Sequence, residues 1–281
     1  ILDSPTPDSA TADDALAYTE TFLQNWADHP RVTPAVAPHA PYTVGPETLR
    51  KAAELARRYD APLIIHLAET QEEIRTIRSR YDDTPVGYLE SVGFLGPDLL
   101  AAHSIWVSAA DIATLARRGV GTVHNPESNM KLAAGTMPIA QLRQAGVPVG
   151  LGTDGPASNN NLDMFGAMLT GALLHKLVDS DPTAMPATEI VALATIEGAR
   201  AMHMDDEIGS LEVGKRADII IVDGSRPNLV PRYDPYSHLT YAARGDDVKT
   251  TIVDGRILYQ DGVFTTLDPE AIVSAARQAA G

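Results

Sequence analysis

Two hydrophobic periods alternate along this chain. Leu16, Thr19, Leu23 and Trp26 recur at helical spacing behind Thr11, an N-cap with Asp14 three residues on, and predict a helix over 9–28. A short apolar strand at 33–38 runs into the proline-rich loop VTPAVAPHAPYT, and a helix follows from Pro46 to Tyr59. The run Leu63, Ile64, Ile65, bounded by Pro62, predicts a buried strand over 62–66 that ends on His66. The alternation then repeats: helical pattern at 71–92, a strand at 99–103, a helix from Ser108 to Arg118, and a strand at 120–124. After the loop NPESNMKLAAGT come a helix from Ile139 to Ala145 and a strand at 148–153. Helical stretches Leu162 to Leu177 and Ala187 to Met202 follow. Strands alternating with helices in this way imply an α/β fold with a parallel sheet and right-handed crossovers.

From Ile208 the pattern turns to β. IGSLEVGKRADIIIVDGS frames a strand from Asp218 to Val222, and VKTTIVDGRILYQDGVF reads as a hairpin turning at Asp254-Gly255. The expected organisation is an α/β body over 1–207, a small β segment over 208–267 and a C-terminal helix over 268–281. A closed β/α barrel needs eight strands, so five before Asp154 leave two readings: an open five-stranded sheet, or a barrel whose first three strands are not in this chain.

Three of the strands end on side chains with the same kind of chemistry. His66 closes one, His103 closes LLAAHS and Asp154 closes VPVGLGTDG, while Glu69 would hang from the same rim as His66. Any one of these could be a satisfied core residue, but three at one end of a parallel sheet point to a site. Imidazole and carboxylate there suit a divalent metal, zinc first among them, with a water whose pKa falls towards about 7. Asp154 can serve as ligand and base, Glu69 as proton donor to a ring nitrogen or leaving group, and His103 can hold and polarise the nucleophile. The set supports hydrolysis at a trigonal carbon.

Composition narrows the field. Hydrophobic residues make up 44% and charged residues 21%, which describes a soluble globular chain. No apolar run suggests a membrane span and ILDSPTPDSA carries no signal-like core, so cytoplasm is the default expectation, with no membrane partner. The absence of cysteine excludes disulfides, thiolate metal sites and cysteine nucleophiles. A net charge of −15 argues against a nucleic-acid partner. Asp and Arg outnumber Glu and Lys, a bias that fits a saline cytoplasm.

HAPYT, HLAET, AHS, HNPESNMKLA, GTDGPASNNNLDMF and SLEVGKRADIIIVD together resemble the amidohydrolase superfamily, and within it the 5'-methylthioadenosine/S-adenosylhomocysteine deaminases. The resemblance covers nearly the whole chain. It implies a metal-dependent hydrolase built as a (β/α)8 TIM-like barrel, here barrel strands four to eight, with part of a composite β-sandwich. It implies hydrolytic deamination at the purine C6 amine of a small nucleoside and one divalent metal, zinc by preference, with homo-oligomerisation left open. By motif, His66 and Asp154 would be metal ligands, Asp154 would also relay the proton, and Glu69 would face the purine as proton donor. His103 would assist the nucleophile, His39 in HxPY would contact the ribose, and Ser158 would line the pocket. The HNP motif makes His124 an anchoring residue rather than a ligand.

One departure matters: the family's first two metal ligands come from an HxH motif, and none occurs here. The chain is therefore expected to be a C-terminal fragment, inactive by itself and a poor zinc binder. Guanine deaminases and triazine hydrolases share much of the pattern and are the sibling alternatives. A non-catalytic module on an amidohydrolase-like sheet is the alternative of another class. Gly150, Gly152 and Gly155 form a nominal dinucleotide fingerprint, but Asp154 within it would press a carboxylate onto the pyrophosphate and no strand-end acid follows. His29, His175, His203 and His238 fall in loop or helix contexts and are assigned structural or solvent roles.

Overall fold

The structure, a computed structural model, describes residues 1–280; Gly281, the last residue of the expected C-terminal helical segment, lies outside the described residues. Helix α1 (Ala12–Trp26) starts where Thr11 Oγ1 accepts the Asp14 N–H, and it buries Leu23. Helix α2 (Pro46–Arg58) opens on a proline, which needs no intrahelical donor there, and buries Leu49, Ala52, Ala53, Leu55 and Ala56. Strand β1 (Leu63–Leu67), helices α3 (Gln71–Tyr81) and α4 (Pro85–Ser91), strand β2 (Leu99–His103), helix α5 (Ala109–Arg118) and strand β3 (Gly121–His124) follow. Next come α6 (Pro126–Lys131), α7 (Ile139–Gln144), strand β4 (Val149–Leu151), α8 (Pro156–Asn159), α9 (Met164–Val178), α10 (Ala187–Leu193) and α11 (Ile196–Ala201).

Strands β1 to β4 form one parallel sheet in chain order, with Leu63 opposite Leu99, Leu100 opposite Gly121 and Thr122 opposite Val149. Four strands are present where five were expected. Residues 33–38 contribute only a parallel bridge from Val36 to Leu63. Val36 makes both bonds available to it, from its N–H to the Pro62 carbonyl and from the Ile64 N–H to its own carbonyl. Pro34 and Pro38 on either side have no N–H to extend the ladder, so the segment docks on β1 without becoming a strand.

Three other expectations are refined. The stretch 71–92 is two helices, because Asp82 turns left-handed after α3 and Thr84 caps α4 with Pro85 behind it. The stretch 187–202 divides at Ala194 and Thr195. The segment NPESNMKLAAGT is not all loop: Pro126 opens α6.

Alternation along β1 and β2 buries Leu63, Ile65, Leu67, Leu99 and Ala101 completely on one face, within a core that includes Leu49, Ile77, Leu89, Phe94 and Leu115. Each fully buried Leu or Ile contributes about 2 kcal/mol of apolar transfer. The other face, with Ile64, His66, Leu100 and Ala102, is half-covered. Helix α11 meets the sheet backbone to backbone: a Cβ on Gly121 would lie 1.8 Å from the Ala201 carbonyl oxygen, and one on Gly150 would lie 3.0 Å from Gly198 Cα. These two strands deliver His124 and Asp154.

The remaining strands, β5 (Ile219–Val222), β6 (Val248–Val253), β7 (Arg256–Gln260) and β8 (Val263–Phe264), make an antiparallel sheet in chain order. Helix α12 (Pro235–Tyr241) lies between β5 and β6, and α13 (Pro269–Ala279) follows β8. Asp254 and Gly255, both at positive φ, close the β6–β7 hairpin as a type I′ turn. No helix among the described residues is long and apolar enough to cross a membrane.

Candidate active site

His66 is the fourth of five residues in β1, His103 ends β2, and Asp154 lies three residues beyond β4. Because β1, β2 and β4 run parallel in one sheet, with β3 between the last two, all three arrive at one edge. One ligand atom from each of His66, His103 and Asp154 lies within 4.8 Å of the others. Groups that each sit about 2 Å from a common ion need spacings of this order.

Hydrogen bonding aims the two imidazoles. His66 Nδ1 is 2.7 Å from the His39 carbonyl oxygen, so Nδ1–H donates there and the Nε2 lone pair is free. His103 Nδ1 is 2.9 Å from Asn129 Oδ1, which leaves its Nε2 free in the same way. Two imidazole nitrogens and one carboxylate fit zinc or a similar divalent ion. The geometry thus adds His103 as a third candidate ligand in this chain, where the sequence supplied two. Asp154 Oδ2 accepts from Ser128 Oγ and Ser158 Oγ, each at 2.7 Å, and Oδ1 accepts the Gly155 N–H at 2.8 Å. Burial pushes the Asp154 carboxyl up, but the bonds from Ser128, Ser158 and Gly155, with His103 nearby, outweigh it and hold it below the usual carboxylate value.

Glu69 takes up a place beside this group. Its Oε1 lies 3.9 Å from His103 Nε2, the same distance at which Asp154 Oδ2 lies from that nitrogen. The two carboxylates therefore flank one imidazole. His39, at 5.0 Å ring to ring from His66, donates or accepts at Thr43 Oγ1 through Nδ1. Burial, reinforced by His66 and the chain's amino terminus, lowers the His39 pKa against a weaker opposing pull from Glu69. Ser158 reaches the site as a clamp on Asp154.

Backbone strain collects at the same edge. Ala68 (φ 49°), His103 (73°), Ser104 (44°) and Asp154 (60°) are all non-glycine residues in the left-handed region. Such residues cost about 1 to 2 kcal/mol each, and they persist where their surroundings over-determine them.

His124 stands apart from the cluster. Its Nε2 faces His175 Nε2 at 3.3 Å, both rings are buried, and burial followed by the His175 and His103 charges pushes His124 well below the imidazole range. Residues that sequence reasoning passed over are Ser128, Asn129 and Glu73. Helix α6 serves the site through two residues: Ser128 bonds Asp154 and Asn129 bonds His103. Glu127 accepts from Asn159 Nδ2, and Lys131 donates to the Ala157 carbonyl at the far side of the same loop. A proline after Asn125 was the visible signal that a helix starts there. Thr70 and Glu73, spaced as a capping box, were the signal for Glu73.

Two imidazoles and a carboxylate gathered at one end of a parallel four-stranded sheet with helices between its strands are the features of an α/β protein with a candidate metal site. The chain belongs to the amidohydrolase family, whose pattern matches residues 2–258. It is 46% identical over 277 residues to a 5-methylthioadenosine/S-adenosylhomocysteine deaminase of Syntrophobacter fumaroxidans, covering 99% of this chain and 63% of that protein. It is 48% identical over 261 residues to a 5'-deoxyadenosine deaminase of Methanosarcina mazei, covering 92% of this chain and 60% of that one. A zinc-bound adenosine deaminase from Xanthomonas campestris superposes with a TM-score of 0.94 at 38% identity, over 99% of this chain and 63% of that structure. The chain thus spans just under two thirds of the length of these relatives.

Proposed function

We propose that this chain supplies the catalytic edge of a metal-dependent deaminase that hydrolyses the C6 amine of an adenosine modified at its 5' position. The observation that carries this reading is the convergence of His66, His103 and Asp154 within 4.8 Å, with Glu69 Oε1 3.9 Å from His103 Nε2. Relatives named for methylthioadenosine, S-adenosylhomocysteine and 5'-deoxyadenosine support the substrate class. We also infer that β1 to β4 are strands five to eight of a (β/α)8 barrel, with Val36 in the fourth position, and that 208–267 forms part of a β-sandwich followed by a C-terminal helix.

His66, Asp154 and His103 would hold one divalent ion, which supplies a water nucleophile activated near neutral pH. With Nε2 given to the ion, His103 would act on the nucleophile only through the ion that it helps to hold. Asp154, held ionised by its three donors, takes the water's proton at Oδ2 and returns it to the departing amine. Glu69 protonates N1, which draws electrons from C6 and makes it electrophilic; N1 keeps that proton in the 6-oxo product, and Glu69 recovers one from the C6 hydroxyl as the carbonyl forms. His39 reaches the ribose. Water and a 6-aminopurine nucleoside give the 6-oxo nucleoside and ammonia.

Ammonia release from methylthioadenosine, S-adenosylhomocysteine, 5'-deoxyadenosine, guanine and a chlorotriazine tests the proposal. The 5'-modified adenosines should turn over fastest. Preference for guanine or the triazine would move the activity to a sibling group, whereas no release from any of them fits both the expected inactivity of this chain alone and the non-catalytic reading, between which bound zinc decides. His66→Ala should lower bound zinc at least about tenfold by elemental analysis. Unchanged zinc content would remove His66 from the ligand set.

A further inference from the structure

Glu73 is a carboxylate in the wrong place for solubility. It sits on the third residue of α3, is 1% exposed, and has no basic side chain within ion-pair distance among the described residues. Burying a charged or polar carboxyl without a partner costs several kcal/mol in general, so its surroundings must answer for it. They do so through backbone alone. Glu73 Oε1 accepts the Ala68 N–H at 2.8 Å and Oε2 accepts the Glu69 N–H at 2.9 Å. In an ordinary capping box the third helical residue bonds the N–H of the cap itself, here Thr70. Thr70 keeps its half of that box, accepting the Glu73 N–H at 3.2 Å, but Glu73 reaches past it to the two residues before.

Those two residues form the turn that brings Glu69 to the site. Ala68 is fully buried at φ 49°, a conformation an alanine does not adopt unaided. Its carbonyl is fixed from the opposite side by the N–H groups of Ile105 at 3.1 Å and Trp106 at 2.9 Å. The turn is gripped at its donors by Glu73 and at its acceptor by the strand exit after His103. Only with the chain reversed in this way does the Glu69 carboxylate end 3.9 Å from His103 Nε2.

We infer that Glu73 is the positioning residue for Glu69: its two carboxylate oxygens hold the strained Ala68–Glu69 turn so that Glu69 faces the His66, His103 and Asp154 cluster. The inference deepens the proposed function, since it takes Glu69 as the proton donor. Glu73 touches neither substrate nor ion. Its removal should leave the ligand cluster intact while releasing Glu69.

Glu73→Gln keeps the side chain's size and one acceptor oxygen but points an NH2 group at one of the two N–H donors; Glu73→Ala removes both acceptors. The test uses the full chain loaded with zinc, alongside Glu69→Gln. Hydrogen exchange resolved to single residues should speed up by about tenfold or more at the Ala68 and Glu69 amides in Glu73→Ala, less in Glu73→Gln, with the Ile65 and His66 amides unchanged. Zinc content should stay at the wild-type value. Ammonia release should fall about a hundredfold in kcat with KM held within about threefold, because the acid is displaced and binding is not. Glu73→Asp, one methylene shorter, should not rescue it.

Unchanged exchange at Ala68 and Glu69 in both variants overturns the inference, as does a kcat equal to wild type where wild type is active. If the wild-type chain releases no ammonia, as expected of a chain without the HxH ligands, the exchange pattern with zinc retention still decides whether Glu73 holds the turn. If Glu73→Ala does not fold, Glu73→Gln carries the same comparison.

Discussion

Replacing Ser128 by alanine separates charge from packing at the site. Asp154 Oδ2 accepts from two hydroxyls at 2.7 Å, and its side chain is only 16% exposed. Ser128 is completely buried, so no water can take its place, whereas Ser158 is half-exposed and water can. A hydrogen bond to a carboxylate is worth about 1.5 to 3 kcal/mol. Ser128→Ala should therefore cost the metal-free chain about 2 kcal/mol at neutral pH, Ser158→Ala less than about 1, and the pair more than their sum. The sign of the pH dependence follows from the direction of the shift. Because the Asp154 carboxyl is held below its usual 3.8, its bonds stabilise the fold above that value, and the contribution is lost as pH falls through the folded value. Urea unfolding in the presence of a chelator, from about pH 6 down to about pH 3, should show the gap between wild type and Ser128→Ala closing. A gap that stays constant with pH would mean that the cost is a cavity, and a gap under about 0.5 kcal/mol at neutral pH would refute the clamp.

Two further outcomes are expected. Gly121→Ala must drive a methyl against the Ala201 carbonyl at 1.8 Å and should cost at least about 3 kcal/mol or prevent folding, while Gly150→Ala, with 3.0 Å available, should cost about 1; equal thermal stabilities would disprove the backbone contact with α11. Burial holds both His124 and His175 below the imidazole range, so the unfolded chain takes up protons that the fold refuses as pH drops below about 6.5, and stability should fall by up to about 1.4 kcal/mol per pH unit for each. His175→Gln should flatten that slope between about pH 6.5 and 5, and an unaltered slope would show that His175 does not stay neutral.

Much of this was legible in the chain because strand ends leave a plain mark. An apolar run that stops at His66, His103 or near Asp154 fixes both the element and the edge on which the side chain emerges. The prolines around Val36 were equally visible, yet the apolar pattern outweighed them, and the ladder that Pro34 and Pro38 cannot support was counted as a fifth strand. Ser128 and Asn129 escaped because their roles are set by partners 26 residues away, Asp154 and His103, across strands whose register no local pattern reveals. Glu73 escaped for the opposite reason: its partners are four and five residues away, and the capping-box spacing that names it is ordinarily a matter of helix stability alone.

If the ion sits on His66 and the nucleoside on His39 as proposed, the bond from His66 Nδ1 to the His39 carbonyl ties the two binding events into one thermodynamic cycle. A ligand on the His39 ring that moved its peptide would change the bond that sets the tautomer of His66. Reciprocity then requires that if a nucleoside strengthens the ion's hold by some factor, the ion strengthens the nucleoside's by the same factor. Affinity measured for either one alone understates what the two achieve together, or overstates it, by that shared coupling energy.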